Sequence, residues 1–279
     1  MQNCEISCRE LAEKAIKVNF IDRLVGRTLN EKIDNYCHVD CLKSLRIRNI
    51  KRNGRWGFKP VLGMTEAFSS MFAFLSFLLM VSGFKRKIKH KLGTCPMSRL
   101  YYMQYYIANA AFLSSFLFHI RETLFTRYAD YFTAFASILM GLLVSLNRIV
   151  LLKKPKVFKK FQETTIRISI AFFIMHVYKM AFHEFDYTYN KVSCGLLFFA
   201  SCTCNFTTFL HYREFSHSRQ IVYSIGCLLT AGGIEILDIS PLFYLFDSHA
   251  LWHLLMATAT PFYLEFISKD IDFQPKMKV

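Results

Sequence analysis

A secretory signal is the first feature that is not evident in this sequence. The N-terminus, Met1–Gln2–Asn3–Cys4, has no basic region followed by an apolar core, so no cleavable signal peptide is evident. Unless the sequence is given in its mature form, we expect the first membrane-spanning run to act as the targeting signal.

Acidic residues are also scarce, since 20 Asp and Glu stand against 35 Lys and Arg, and the formal net charge is +15. An excess of this size can indicate a protein that binds nucleic acid. Here, however, the basic residues cluster in the short loops between apolar runs, where they favour contact with anionic lipid and set membrane topology. We therefore exclude nucleic acid as a partner and expect membrane lipid instead.

Apolar residues dominate the composition, at 53% of the 279 residues with 29 Phe and 14 Tyr. Runs of about twenty apolar residues recur, and each is long enough to span a bilayer. Open sheet is excluded because lipid cannot satisfy its edges. The sequence predicts an all-α membrane protein, a seven-transmembrane helical bundle, with spans at about 65–84, 101–119, 129–147, 165–182, 191–211, 220–239 and 249–267.

Three regions follow from this pattern. Residues 1–60 are polar and form a small lumenal segment, residues 61–270 form the bundle, and residues 271–279 form a cytosolic tail. The loops after the first, third and fifth runs are rich in Lys and Arg, whereas the loops between them are poor in both. Basic loops face the cytosol, so we expect a lumenal N-terminus and a cytosolic C-terminus.

Four of the nine cysteines, Cys4, Cys8, Cys37 and Cys41, precede the first run and form two pairs with C-x3-C spacing. This pattern favours disulfides in an oxidising lumen, with the connectivity left open. A zinc site is the alternative, but only His38 lies nearby as a further ligand.

Histidines at the ends of distant runs predict a metal site. His249 and His253 lie one turn apart on one helix face, and His119 ends the second span at the same membrane depth. Three protein nitrogens with an open position are typical of catalytic Zn²⁺. Asp130 would then serve as general base, and Ser115, one turn before His119, would stabilise an oxyanion.

Other roles for these residues remain open. Ser115, His119 and Asp130 could form a nucleophilic triad, but this leaves His249 and His253 without a role. Glu235 and Asp238, at the lumenal end of the sixth span, could orient a metal-bound histidine or cap the loop before Pro241.

Several longer stretches resemble a known family. The Ser-x3-His, Asp and His-x3-His set is similar to the membrane hydrolases that include alkaline ceramidases and adiponectin-type receptors. Longer motifs resemble the family of the post-GPI-attachment-to-proteins factor three, the Per-like lipid-remodelling proteins. They are Asn53–Gly54–Arg55–Trp56–Gly57–Phe58, Gly63–Met64–Thr65–Glu66, Phe118–His119–Ile120–Arg121–Glu122–Thr123, Phe185–Asp186–Tyr187–Thr188–Tyr189–Asn190, Glu235–Ile236–Leu237–Asp238 and Asp247–Ser248–His249–Ala250–Leu251–Trp252–His253.

The resemblance, from about Cys4 to Asp270, implies a seven-span protein of the endoplasmic reticulum or Golgi. It implies removal of the sn-2 acyl chain from GPI-anchored proteins, with GPI lipid as the substrate. Arg121 would bind the phosphate of the anchor or serve as a headgroup anchor. The chain departs from the family at Leu45, where a further cysteine is expected. The alternatives are a ceramidase-like amidase and a non-enzymatic receptor or folding factor with structural zinc.

Overall fold

The computed structural model describes residues 2–24, 26–45, 51, 56–183, 185–212 and 218–274. Three predicted features lie outside these residues, namely the Asn53–Gly54–Arg55 part of one motif, Arg213 of a basic loop, and the tail beyond residue 274. Within the described ranges the chain is helical and has no strand, only two isolated bridges. The all-α prediction is therefore confirmed for these residues.

Ten α-helices make up the described part of the chain. Three short helices precede seven long ones, and π or 3₁₀ turns extend the ends of α4 and α7. Their bounds are α1 Gln2–Ala15, α2 Phe20–Leu24, α3 Leu29–Ser44, α4 Ala67–Gly83, α5 Ser98–Ile120, α6 Leu124–Lys153, α7 Phe158–Tyr178, α8 Tyr187–Tyr212, α9 Ser218–Leu237 and α10 Ser248–Phe273.

The seven long helices coincide with the seven predicted runs, but only five are long and apolar enough to cross a membrane. These five contain α4, α6, α7, α8 and α9. The sequence explains why α5 and α10 differ. Helix α5 carries Arg99 and four tyrosines in its first half, and α10 begins with two histidines and ends with Glu265, Lys269, Asp270 and Asp272.

Helix α4 contacts both α5 and α10, while α10 also packs against α9 and α5 against α6. The shared core includes Leu100, Met140, Leu143, Leu264 and Ile267. This arrangement brings the C-terminal end of α5 to the N-terminal end of α10. The two halves of the predicted site therefore meet at one end of the bundle.

The N-terminal segment is a small helical unit in which α1 packs against α3. Two disulfides join these helices, Cys4 with Cys41 and Cys8 with Cys37. Thr28 begins α3 with a reciprocal cap, in which its hydroxyl accepts from the backbone N–H of Glu31 and the Glu31 carboxylate accepts in return. His38, the possible extra zinc ligand, instead lies 2.8 Å from Glu5.

Candidate metal centre

Three imidazoles converge where α5 ends and α10 begins. The Nε2 atom of His119 lies 3.1 Å from Nε2 of His253 and 3.3 Å from Nε2 of His249. The Nε2 atoms of His249 and His253 lie 3.2 Å apart. His119 and His253 are buried and His249 is half-buried, so the group could hold a metal ion that is reached from one side.

The spacing of these nitrogens fits a tetrahedral ion. Zn–N bonds of 2.0–2.1 Å at tetrahedral angles place ligand nitrogens about 3.4 Å apart. The three observed separations, 3.1, 3.2 and 3.3 Å, fall slightly below that value. A triangle of three nitrogens also leaves the fourth tetrahedral position open, as in catalytic zinc sites.

Two glutamate carboxylates lie within hydrogen-bond distance of the Nδ1 atoms of two of these rings. Oε2 of Glu66 lies 2.7 Å from Nδ1 of His119, and Oε2 of Glu235 lies 3.1 Å from Nδ1 of His249. A carboxylate on Nδ1 holds the proton there and leaves Nε2 as a bare lone pair. Lone pairs that face one another repel, and a cation between them removes the repulsion. The donor set therefore fits a metal better than a hydrogen-bonded cluster.

Backbone contacts fix the end of α5 that carries His119. The last carbonyls of a helix have no partner inside the helix and must find one outside it. Here the N–H of Glu66 donates to the His119 carbonyl and the N–H of Thr65 donates to the Ile120 carbonyl, both at 3.0 Å. The residues just before α4 thus cap α5 and bring the Glu66 side chain to the ring.

Asp247 fixes the start of α10 in a similar way. Its Oδ1 accepts a hydrogen bond from the backbone N–H of Ala250 at 2.8 Å, which is the N-cap contact that helix starts favour. With the first turn held, His249 and His253 project from the same face as the i, i+4 spacing predicts.

The predicted catalytic residues lie on the two helices that follow one another at this end. Ser115 is buried in α5, one turn before His119. Asp130 lies near the end of the second turn of α6, which packs against α5. Their chemical roles stay predictions.

Arg121 and Asp238 make contacts that were not predicted from the sequence. Nη2 of Arg121 lies 2.9 and 3.0 Å from the two carboxylate oxygens of Glu31, so the N-terminal segment engages the guanidinium. Asp238 accepts from Trp56 Nε1 at 3.0 Å and also pairs with Lys51. Asp238 therefore contacts the N-terminal segment, whereas Glu235 lies beside a histidine. Their roles in orienting a metal-bound histidine stay predictions.

Comparison with known proteins identifies the family. A family profile described as Per1-like matches residues 3–271. The chain belongs to the Per1-like family. A fission yeast (Schizosaccharomyces pombe) relative called Protein PER1 homolog is 31% identical over 233 residues, covering 79% of this chain and 67% of the relative.

Two further relatives carry more descriptive names. A Cricetulus griseus protein called GPI-specific phospholipase A2-like PGAP3 is 28% identical over 228 residues, with 78% of this chain and 67% of that protein covered. The Post-GPI attachment to proteins factor 3 of Drosophila melanogaster is 25% identical over 283 residues, with 94% and 82% covered. The predicted family resemblance is thus confirmed over nearly the whole chain.

Glu66 is the site residue to which the sequence analysis gives no role. It lies within a motif that carries the family resemblance and directly precedes α4. An ionisable residue beside an apolar run is the available signal, because such groups are expensive near the membrane and tend to serve a function. Its partner His119, 53 residues away, cannot be read from that signal.

Proposed function

We propose that this Per1-like protein is a zinc-dependent hydrolase that remodels GPI anchors by cleaving the sn-2 acyl ester of their lipid. The observation that carries the proposal is the triangle of Nε2 atoms with carboxylates behind two of the rings. The names of two relatives, GPI-specific phospholipase A2-like and Post-GPI attachment to proteins factor 3, support GPI-anchored proteins as the substrate.

We propose that all seven long helices cross a membrane of the endoplasmic reticulum or Golgi, with the metal centre on the lumenal side. Supporting this orientation, basic residues collect at the other end of α10. Lys87 lies 2.5 Å from Glu265, and Lys91 lies 2.5 Å from Asp272. Positive charge marks the cytosolic side. The disulfide-bonded N-terminal segment suits an oxidising lumen.

His119, His249 and His253 would hold the ion, with Glu66 and Glu235 orienting two of the rings. When bound, Zn²⁺ supplies a Lewis acid for an ester carbonyl and makes water more acidic. Glu66 and Glu235 keep Nδ1 protonated and keep each Nε2 aimed at the centre, so the ligands need no rearrangement during turnover.

Asp130 would accept the proton from the attacking water and return it to the leaving glycerol alkoxide. The carbonyl carbon thereby gains one hydroxyl group and loses the alkoxide, giving a fatty acid and a lyso-GPI. The hydroxyl of Ser115 would donate a hydrogen bond to the carbonyl oxygen as negative charge develops there. These roles agree with the positions of both residues on the helices next to the metal centre.

Arg121 would meet the anchor phosphate while Glu31 already binds its Nη2. A phosphate could share the guanidinium, because five N–H donors exceed what one carboxylate can use. We therefore retain Arg121 as a proposed substrate contact whose charge is partly compensated before the lipid arrives.

The deciding experiment combines metal analysis with lipid analysis. Purified protein should contain about one zinc per chain, and His249→Ala and His253→Ala should each lose most of it. Cells that depend on either variant should retain diacyl GPI on their surface proteins, as mass spectrometry would show. His90→Ala is the control. It changes an exposed histidine in the turns that follow α4, at the end of the bundle opposite to the metal centre, and should match the wild type.

Three outcomes would redirect the proposal. Zinc-free wild-type protein that still produces lyso-GPI would remove the metal from the mechanism. Release of fatty acid from ceramide with no change in GPI lipid would indicate an amidase. Unfolding of His253→Ala, together with wild-type function in Asp130→Asn, would favour a receptor or folding factor in which zinc is structural.

A further inference from the structure

The N-terminal segment, meaning the described residues up to 60, contacts the chain next to both halves of the metal centre. On the α5 side, Glu31 binds Arg121 and Arg27 reaches Ile120. On the α10 side, the segment meets the loop between α9 and α10. There Lys59 N–H donates to the Tyr244 carbonyl, Lys43 lies over the Tyr244 ring, and Trp56 donates to Asp238.

Arg27 is the most buried residue among those that make these contacts, with 7% of its surface exposed. Its Nη2 donates to the hydroxyl of Thr65 at 2.7 Å and reaches the carbonyl of Ile120 at 3.4 Å. The Thr65 hydroxyl in turn donates to the same Ile120 carbonyl at 3.1 Å. One guanidinium group thus binds both sides of the junction at which residues 65–66 cap α5.

The other side of the guanidinium is held within the segment itself. Nη1 lies 3.9 Å from Asp22, and the Arg27 N–H donates to the Asp22 carbonyl at 2.7 Å. Asp22 is 2% exposed and also binds Lys32 of α3 at 2.5 Å. The disulfides hold α3 to α1, so the segment offers Arg27 from a cross-linked support.

Glycine is required next to this arginine. Gly26 has a φ of +67°, and a Cβ added there would lie 2.8 Å from Nη1 of Arg121. Most residues avoid that left-handed conformation. The backbone therefore turns at Gly26, directly before Arg27, and passes close to the Arg121 guanidinium.

We infer that Arg27 is a positioning residue for the metal centre, through which the disulfide-bonded segment sets the place of His119. Ile120 follows His119 directly, and the Thr65–Glu66 pair that binds both carbonyls also carries the carboxylate on His119 Nδ1. Loss of Arg27 loosens this junction and lets the His119 ring drift from the pair on α10. The inference deepens the proposed function, since it rests on the metal centre assigned there.

The test compares Arg27→Met with Arg23→Met in the full-length, detergent-purified protein. Met keeps much of the arginine stem but removes every donor. Arg23 lies on α2 four residues earlier and is exposed, so it is a matched control. Co²⁺ serves as the probe, because its visible absorption reports ligand geometry. We expect Arg27→Met to weaken Co²⁺ binding about tenfold, the lower range for outer-shell partners, and to alter the spectrum.

Amide hydrogen exchange gives a second measurement that needs no metal. The N–H groups of Thr65 and Glu66, which bind the α5 carbonyls, should exchange faster in Arg27→Met than in the wild type or Arg23→Met. If the wild type binds no Co²⁺, the proposed metal function fails, and amide exchange alone decides whether Arg27 positions the end of α5.

Unchanged exchange at these amides in Arg27→Met overturns the inference, whatever the metal result. So do unchanged Co²⁺ affinity and spectrum in a metal-binding wild type. Should Arg27→Met fail to fold, Thr65→Val replaces it, because Val keeps the shape of Thr65 but lacks the hydroxyl that joins Arg27 to Ile120. Thr65→Val must then show the same faster exchange, and wild-type exchange in that variant would equally overturn the inference.

Discussion

The carboxylate of Glu66 lies 2.7 Å from Nδ1 of His119, while the backbone N–H of Glu66 donates to the carbonyl of the same histidine at 3.0 Å. One residue therefore fixes both the ring and the main chain of its partner. Because the second contact holds the end of α5, the orientation of the ring is set before any ion arrives. Glu235 supports His249 at 3.1 Å without such a backbone contact.

Glu66→Gln should weaken metal binding more than Glu235→Gln does. The amide keeps the shape of Glu66 but can no longer hold the Nδ1 proton by charge, so the imidazole becomes a poorer ligand. Partners of this kind typically contribute 10–100-fold to metal affinity, and we expect the upper part of that range for Glu66. Competition with a chromophoric chelator measures it.

Glu163→Gln, a change of the same kind at an exposed position of α7, is the control and should match the wild type. Equal affinities for all three variants and the wild type would show that the carboxylates do not support the ligands.

Local spacing is enough to predict much of the site. His249 and His253 share a helix face whatever the surroundings, and His119 ends a run at a matching depth, so the three could be grouped from the sequence. The seven long helices follow from the apolar runs. Among the seven long helices, only α5 and α10 are not apolar enough to count as membrane spans. Both helices carry polar residues, some at the metal centre and others at the opposite end of the bundle.

Long-range pairing is what the sequence cannot give. Arg121 is predicted from the sequence to contact a phosphate or to anchor the protein at the lipid headgroups, and its partner Glu31 lies 90 residues earlier. Asp238 is predicted to orient a histidine or to cap the loop before Pro241, and its partner Trp56 lies 182 residues away. The disulfide connectivity was open because four cysteines allow three pairings. The first two pairings depend on how the N-terminal segment docks on the long helices, and the disulfides depend on how α1 packs against α3. Neither arrangement leaves a periodic pattern in the sequence.

Asp130→Asn tests the proposed general base. The variant keeps the size of the side chain but cannot accept the proton of water, and a positioned base typically contributes 10²–10⁴-fold. Formation of lyso-GPI should nearly vanish while zinc content stays at the wild-type level, because the three histidines remain. Normal lyso-GPI formation would exclude Asp130 as the base, and loss of zinc would instead place it among the supports of the ligands.

Ser115→Ala separates the zinc mechanism from a serine triad. In the zinc mechanism the hydroxyl is one oxyanion donor, so activity should fall by about 10²–10³-fold and remain measurable. In a triad the nucleophile is lost, and a serine-reactive phosphonate would label wild-type protein at this residue even after chelation. Phosphonate labelling followed by peptide mass spectrometry decides between them.

Arg148 and Asp270 form a buried pair at the opposite end of α10, with Nε–Oδ2 and Nη2–Oδ1 distances of 2.9 and 2.5 Å. They are 4% and 0% exposed. Removing one partner leaves a buried charge uncompensated, so Arg148→Met alone should lower the free energy of unfolding by about 3–5 kcal/mol. The double variant Arg148→Met/Asp270→Leu should recover much of the loss.

Denaturant titration in detergent measures both variants of this pair. Metal affinity per folded molecule should stay unchanged, because Asp270 lies 17 residues after His253 along α10, which is roughly 25 Å at about 1.5 Å per residue. A double variant that is less stable than Arg148→Met would contradict the assignment.

The contribution of Asp22 to the stability of the N-terminal segment should depend on pH only under acidic conditions. Burial raises the pKa of the Asp22 carboxyl, but hydrogen bonds from Lys32 and the Asn19 N–H and the charges of Lys32 and Arg27 outweigh it, so the pKa lies below its ordinary value of 3.8. A carboxyl with a lowered folded-state pKa stabilises fully above its unfolded pKa and loses that contribution as pH falls through the folded value. The difference in melting temperature between wild type and Asp22→Asn should therefore stay constant from about pH 7 to 5 and shrink below about pH 4.

Asp40→Asn, an exposed change on α3, is the control for this prediction and should show no such trend. If the difference already shrinks between pH 7 and 5, another group controls the docking of the segment, and the Asp22–Arg27 contact is not what holds it in place.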